Sequence, residues 1–199
     1  MIIHALRPSG QEHVTLVLED GREIPTTLGL VTELRLFAGK QLEEAQLRLL
    51  QEKTASAFAR ERALSLLSFR PHSEKELRDK LLRKGTDPAA ADAAIEWLRD
   101  HAYLDDAGYA ISVARHYAGK GYGAKRITSE LYRRGISREL WEEALCELPE
   151  PEQEIDHFLS KRLKDPENPD EIRKLSAALS RRGYSWDEIR SALDRFLHS

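Results

Sequence analysis

Hydrophobic positions recur along this chain with two different periods. Over residues 1–27 the period is two, and residues 1–6, 14–18 and 22–27 predict three short strands. Asp20-Gly21 stands between the last two, and that pair tolerates the positive φ of a tight primed hairpin turn. Three strands alone make a marginal sheet, so a neighbour must cover one face. Residues 30–36 predict a short helix and Gly39 breaks the chain. From residue 42 onward the period lengthens to that of a helix. Leu42, Ala45, Leu49 and Leu50 form a first stripe. Ala55, Phe58, Ala59, Ala63, Leu66 and Leu67 form a second, and Lys53-Thr54 marks where one long helix or two remains open.

The stretch after these stripes is the organising one. In Arg70-Pro71-His72-Ser73-Glu74-Lys75-Glu76, the proline stops a helix from running backwards. Ser73 and Glu76 have the spacing of a capping box. Leu77, Leu81 and Leu82 give one apolar stripe. Arg83-Lys84 suits the carbonyl end of the helix, and Gly85 supplies a left-handed stop. Residues 127–135 and 175–183 repeat residues 77–85. Their terminal glycines, Gly135 and Gly183, follow Gly85 at offsets of 135 − 85 = 50 and 183 − 135 = 48. Two places past each glycine stands a capping residue, Asp87, Ser137 or Ser185. Seven past that cap come Ala94, Ala144 and Ala192; eight past, Ile95, Leu145 and Leu193; eleven past, Leu98, Leu148 and Phe196. Cap, stripe, basic pair and glycine staying in register three times is the signature of a repeat protein.

Helices are predicted over residues 88–101, 107–118, 124–134, 138–148, 152–163, 170–182 and 186–197, with the polar loop 164–169 in the last repeat. Together with the helix ending near residue 67 and the helix ending at residue 84, they make nine in three sets of three. The fold class is therefore mainly α: three tandem three-helix repeats in an elongated array, preceded by a small β-rich N-terminal segment. The boundaries are 1–53 for that segment and 54–104, 105–148 and 149–199 for the repeats.

Composition removes whole classes of function. The 31 basic and 34 acidic residues leave a net charge of −3, so the molecule as a whole is no polycation. One cysteine, Cys146, excludes a disulfide framework and a cysteine-built zinc site, and its place on a helix face reads as small apolar packing. No apolar run is long enough for a bilayer and no signal pattern opens the chain, so the expected location is cytoplasmic, with no membrane partner. A catalytic constellation is missing as well. His4, His13, His72, His101, His116, His157 and His198 lack metal-ligand spacing, and no serine elbow or Walker loop occurs. No enzyme and no cofactor is expected. Asp105-Asp106 sits at a helix start, where capping accounts for it. Gly119-x-Gly121-x-Gly123 follows a helix instead of a strand, which makes it a flexible joint and not a phosphate loop.

Charge distribution says more than total charge. Residues 115–138 hold seven basic residues against one acid, Glu130, an excess of 7 − 1 = 6. The pairs Arg83-Lys84, Arg133-Arg134 and Arg181-Arg182 recur at matching helix ends. Dipole compensation at three C-termini explains the pairs at a few tenths of a kcal/mol each. It does not explain the added cluster of Lys120, Lys125 and Arg126, which points to a face for phosphates or an acidic protein surface. The candidate partner-binding set is Arg83, Lys84, Arg115, Lys120, Lys125, Arg126, Arg133, Arg134, Arg181 and Arg182. Tyr122 and Tyr132 lie in the same stretch, where they can stack or anchor.

These motifs also carry a resemblance. Arg70-Pro71-x-Ser73-x-x-Glu76-Leu77…Leu81…Lys84-Gly85, Tyr103-Leu104-Asp105-Asp106-x-x-Tyr109-Ala110 and Gly119-x-Gly121…Arg126-Ile127…Leu131-x-x-x-Gly135-Ile136-Ser137 together resemble the RecX family of bacterial recombination regulators. The likeness runs from about residue 55 to the C-terminus, and the strand-rich start is present in only some members. The resemblance implies a monomeric, non-enzymatic modulator that binds the RecA recombinase filament in its groove, across adjacent subunits. It implies damping of ATP hydrolysis, strand exchange and stimulated repressor cleavage, with weak DNA binding in some members. It supplies no catalytic residues. The alternative is a helical DNA-binding module that competes with the recombinase for single strands. The net acidity and the lack of an evident aromatic stacking platform weigh against that alternative.

Overall fold

The computed structural model describes residues 1–146 and 148–197. His198 therefore lies outside the described residues. The chain divides into two compact units. One comprises Met1–Pro71 with Leu77–Leu104, the other His72–Glu76 with the described residues from Asp105 onward.

The first unit opens with an antiparallel sheet of β1 (Ile3–Pro8), β2 (His13–Leu18) and β3 (Glu23–Thr27), in that order. The hairpin at Asp20-Gly21 differs in detail from expectation. The Leu18 amide donates to Arg22 O at 2.9 Å, leaving a three-residue loop whose last residue, Gly21, takes φ +84°. The left-handed glycine sits at the end of the loop and not inside a two-residue primed turn. α1 (Leu28–Glu33) follows, capped by the Thr27 hydroxyl.

α2 (Glu44–Leu67) is one continuous helix of 24 residues. Thr54, the suspected break, is buried, and its hydroxyl lies 2.9 Å from that of Thr26 in β3. Because this helix meets different neighbours along its length, two of its faces are buried. Leu47 and Leu50 pack with Ile3, Leu16, Leu18 and Ile24 of the sheet, which is the cover the sheet needed. The early stripe thus uses Leu47; Ala45 and Leu49 face solvent, contrary to the pattern read from sequence. Ala59 and Ala63 instead pack with Leu77 and Leu81 of α3 (Glu74–Arg83) and with Ala91, Ala94 and Leu98 of α4 (Pro88–Asp100). Asp87 caps α4 through the amides of Ala89 and Ala90, with Pro88 in the first turn.

The second unit holds α5 (Asp106–Ala118), α6 (Ala124–Arg133), a 3-10 turn (Arg138–Leu140) leading into α7 (Trp141–Cys146), α8 (Pro151–Arg162), α9 (Pro169–Arg182) and α10 (Trp186–Leu197). The helix expected over 138–148 is shorter because its opening turn is 3-10. Ser137 makes no side-chain cap there, and the Trp141 indole donates to Ile136 O at 3.1 Å. Ser185, by contrast, forms a full capping box with Glu188.

The threefold recurrence is tightest at the helix ends. Gly85, Gly135 and Gly183 have φ of +78°, +71° and +98°. Behind each, the amide of Thr86, Ile136 or Tyr184 donates back to Leu81, Leu131 or Leu179 O, at 3.1, 3.1 and 3.3 Å. This is the Schellman closure that a left-handed glycine permits. Leu81, Leu131 and Leu179 are fully buried, as are Ala94, Ala144 and Ala192.

Candidate interaction face

The basic pairs are split between two jobs, and the second unit shows how. In Arg133-Arg134 the inner residue turns into the protein. Arg134 Nε donates to Glu130 Oε1 at 2.7 Å, its Nη1 bonds the Tyr109 hydroxyl, and its guanidinium lies 5.7 Å from the centre of that ring. Glu76 completes the cluster, accepting from the Tyr109 hydroxyl at 3.0 Å and lying 3.9 Å from Arg134. Arg133 also bonds Glu130, yet its side chain stays 72 % exposed against 21 % for Arg134.

Electrostatics follow from this arrangement. Burial alone would raise the Glu130 carboxyl, but hydrogen bonds from Arg133, Arg134 and Tyr117 overcome it and hold the group at about 2. Burial, and then the charge of Glu76, push the Tyr109 phenol up. Burial opposes the charged form of Arg134; Tyr109 and Glu130 outweigh it and shift the guanidinium upward, so it stays protonated.

Arg182 plays the matching inner part in the last repeat. Its Nη1 donates to Gly121 O at 3.1 Å, and its guanidinium lies 5.0 Å from the Phe158 ring centre and 6.0 Å from that of Tyr122. Arg181 beside it is exposed. In the first unit Arg83 and Lys84 are both exposed; Arg83 Nε reaches only Asp79 O, at 3.2 Å.

The motif around residue 105 gains a physical meaning. Asp105 caps α5 by accepting from the Gly108 amide at 2.9 Å. Asp106 caps a different helix, accepting from the Glu74 amide at 3.0 Å in the first turn of α3. Ser73 Oγ accepts from the Glu76 amide at 3.1 Å and donates to Arg134 O at 2.5 Å. Sequence spacing shows Asp106 only as a local cap and Tyr109 only as a position in the motif that follows it. Their partners lie 25 residues or more away in the chain, and no local signal announces them.

The glycine loop is a close-packed joint and not a flexible one. Gly123 is buried, and a Cβ there would stand 2.7 Å from the carbonyl of Gly183 and the amide of Tyr184. The Gly123 amide donates to Arg182 O at 2.9 Å and the Lys125 amide to Gly183 O at 3.1 Å. α6 has no capping side chain, since Gly123 is its N-cap, so backbone carbonyls from the end of α9 receive its first amides. Tyr122 anchors this joint, its ring flanked by Arg126 and Arg182.

What α6 leaves outward is the candidate face. Ile127, Glu130 and Leu131 point into the core. Lys125, Ser129, Tyr132 and Arg133, at i, i+4, i+7 and i+8, share the opposite side, with Arg126 at its edge. Tyr132 is 68 % exposed. The helix carries one carboxylate and buries it, so its solvent side shows cations and a tyrosine with no acid among them. Arg115 and Lys120 are exposed nearby in sequence, on α5 and the loop after it. Such a surface can bind phosphates or acidic protein.

Comparison with known proteins decides the lineage. Models of the first, second and third three-helix domains of RecX match residues 59–98, 105–145 and 155–193. The regulatory protein RecX of Xanthomonas axonopodis pv. citri (strain 306) is 38 % identical over 135 residues, covering 66 % of this chain and 83 % of that one. The chain belongs to the RecX family. The regulatory protein RecX of Vibrio campbellii (strain ATCC BAA-1116) is likewise 38 % identical, over 147 residues that span 72 % of this chain and 94 % of its own. A crystal structure described as regulatory protein RecX aligns over 97 % of this chain and 98 % of its own, with a TM-score of 0.77 and 22 % identity. RecX from Lactobacillus salivarius aligns over 72 % of this chain and 97 % of its own, with a TM-score of 0.64 and 22 % identity. Both structures share the fold, and the relatives are regulatory proteins by name. Among the described residues, no helix is long and apolar enough to cross a membrane.

Proposed function

We propose that this chain is a non-enzymatic regulator that binds the RecA recombinase filament, lying in its groove across adjacent subunits. Bound there, it restrains ATP hydrolysis, strand exchange and co-protease activity. Family membership supports a regulatory role, and the α6 face supports recognition through protein contact. The observation that carries the reading is the burial of Glu130 on the inner side of α6, away from the exposed Lys125, Tyr132 and Arg133. That arrangement gives a chain of net charge −3 a cationic, tyrosine-centred helix face suited to an acidic groove. Repeated modules add contacts along a polymer, so several weak ones sum through effective concentration. Working as a monomer in the cytoplasm is part of the same proposal.

Recombinase ATPase activity titrated with this protein tests it. Lys125→Glu together with Tyr132→Ala, both exposed and neither bonded to Glu130, should weaken inhibition while helicity and unfolding stay unchanged. Undiminished inhibition by that variant would refute the face assignment. Inhibition relieved simply by excess single-stranded DNA would refute filament contact and favour competition for the strand.

A further inference from the structure

Beside the joint between the last two repeats, and apart from the α6 face, lies a second basic feature. The 119–121 loop, one side of α8 and the end of α9 enclose a cleft of about 270 Å³. Its charged lining is Lys120, Lys161, Arg162 and Arg182, with Glu154 as the one carboxylate among the described residues and His157 at the rim. On α8 the spacing is i, i+3, i+4, i+7 and i+8 from Glu154 through His157, Phe158, Lys161 and Arg162, so the lining is a continuous helix face.

Four cations converging from three chain segments repel one another unless something negative sits among them. The protein supplies little. Ion pairs of this repeat lie elsewhere, as Arg173–Asp170 and Arg195–Asp156. Arg162 and Arg182 are both held over the Phe158 ring, at 4.8 and 5.0 Å from its centre. Each guanidinium is thereby held against the same ring, and among the described residues no carboxylate is bonded to either. Arg182 commits one Nη1 to the Gly121 and Lys120 carbonyls, and its other donors remain for a ligand. Glu154 lies near Tyr184, whose phenol is pushed up by burial and then by that carboxylate. Its Oε2 also faces Gly121 beside Arg182 Nη1, so one carboxylate offsets part of the charge of four cations. Dipole compensation accounts for Lys161 and Arg162 in the last turn of α8. It does not account for Lys120 and Arg182 arriving from other segments, nor for the aromatic shelf that orders the two arginines.

We propose that this cleft is a phosphate-binding site, seating a phosphate group among Lys120, Lys161, Arg162 and Arg182. A planar guanidinium fork held against Phe158 offers paired donors to two phosphate oxygens, and the lysines of the lining add charge. The site stands on the third repeat and its joint, and does not depend on the recombinase reading. The phosphate can belong to a free polyphosphate or to the backbone of a nucleic acid.

Calorimetric titration of the full chain tests it with two probes, inorganic pyrophosphate and a single-stranded oligothymidylate. Lys161→Gln and Arg162→Gln are exposed positions, so the fold should survive, which circular dichroism checks. Each should weaken binding of at least one probe about tenfold, the worth of one charged hydrogen bond. Arg173→Gln, outside the cleft, should change it less than about twofold, as expected for an exposed ion pair. Loss confined to pyrophosphate identifies a free polyphosphate; loss of the oligonucleotide identifies a phosphodiester backbone. Failure of both probes to bind, or equal binding by the Lys161→Gln/Arg162→Gln double variant, overturns the site.

Discussion

Replacing Glu130 with Gln isolates the charge at the centre of the second repeat while keeping its shape. The carboxyl is almost fully buried and held at about 2, against an ordinary 4.5. That depression corresponds to about 3 kcal/mol of stability at neutral pH, since each pH unit is worth about 1.4 kcal/mol. Because the folded-state value is depressed, the contribution is fully present above about 4.5 and disappears as pH falls through about 2. Glutamine retains one acceptor, so the expected loss is about 2–3 kcal/mol. Trp141 reports on this repeat, its indole being bonded to Ile136 O. Urea unfolding followed by its fluorescence, in a Trp97→Phe/Trp186→Phe background, reads the relevant unit. The gap between parent and E130Q should hold steady from neutral pH to about 5 and close between about 4.5 and 2. No gap at neutral pH, or a gap that acid leaves intact, would refute the assignment of Glu130 as the ionised anchor.

The two arginines beside it should behave oppositely. Arg134→Ala strips a buried cluster of its cation and should cost about 3 kcal/mol or more, whereas Arg133→Ala, which removes an exposed side chain and leaves Glu130 its bond from Arg134, should cost about 1 kcal/mol in the same urea assay. Tyr109→Phe removes the hydroxyl that joins Glu76 to Arg134 and should lower stability by about 1–3 kcal/mol. Gly183→Ala should be worse than Gly135→Ala. Both need positive φ, but a Cβ at Gly183 overlaps the Arg126 backbone, while at Gly135 it meets side-chain carbons of Lys75, the outer of which can turn away. Thermal unfolding should place them at losses of about 3 kcal/mol or more and about 1–2 kcal/mol respectively.

The repeats and most helix ends were legible because their signals are local. Ser73 with Glu76, Asp87 with Pro88, and a glycine after each basic pair each state a boundary within a few residues. The strands were legible for the same reason. Less visible was the use of the long helix α2, whose buried side changes where the sheet ends and the first repeat begins. A single stripe drawn from residue 42 picked Leu49, which is exposed, and passed over Leu47. The candidate face was half legible. Charge counting found Lys125 and Arg133, but it could not tell them from Arg134 and Arg182, because the Tyr109 hydroxyl that receives Arg134 lies on α5 and the carbonyl that receives Arg182 lies in the 119–123 loop. Glu130 was counted as a lone acid diluting the cluster; buried, it is what leaves the outer side of α6 free of negative charge.

The backbone bonds from Gly123 and Lys125 to the end of α9 make the second module dependent on the third. A chain cut short near residue 148 would contain every residue of the second module and still leave the start of α6 without its acceptors. The sequence looks divisible at each period, but the first amides of α6 find their acceptors at the end of α9. Shortening the array should therefore loosen the module that remains, from the very helix whose outer side is proposed to meet the partner.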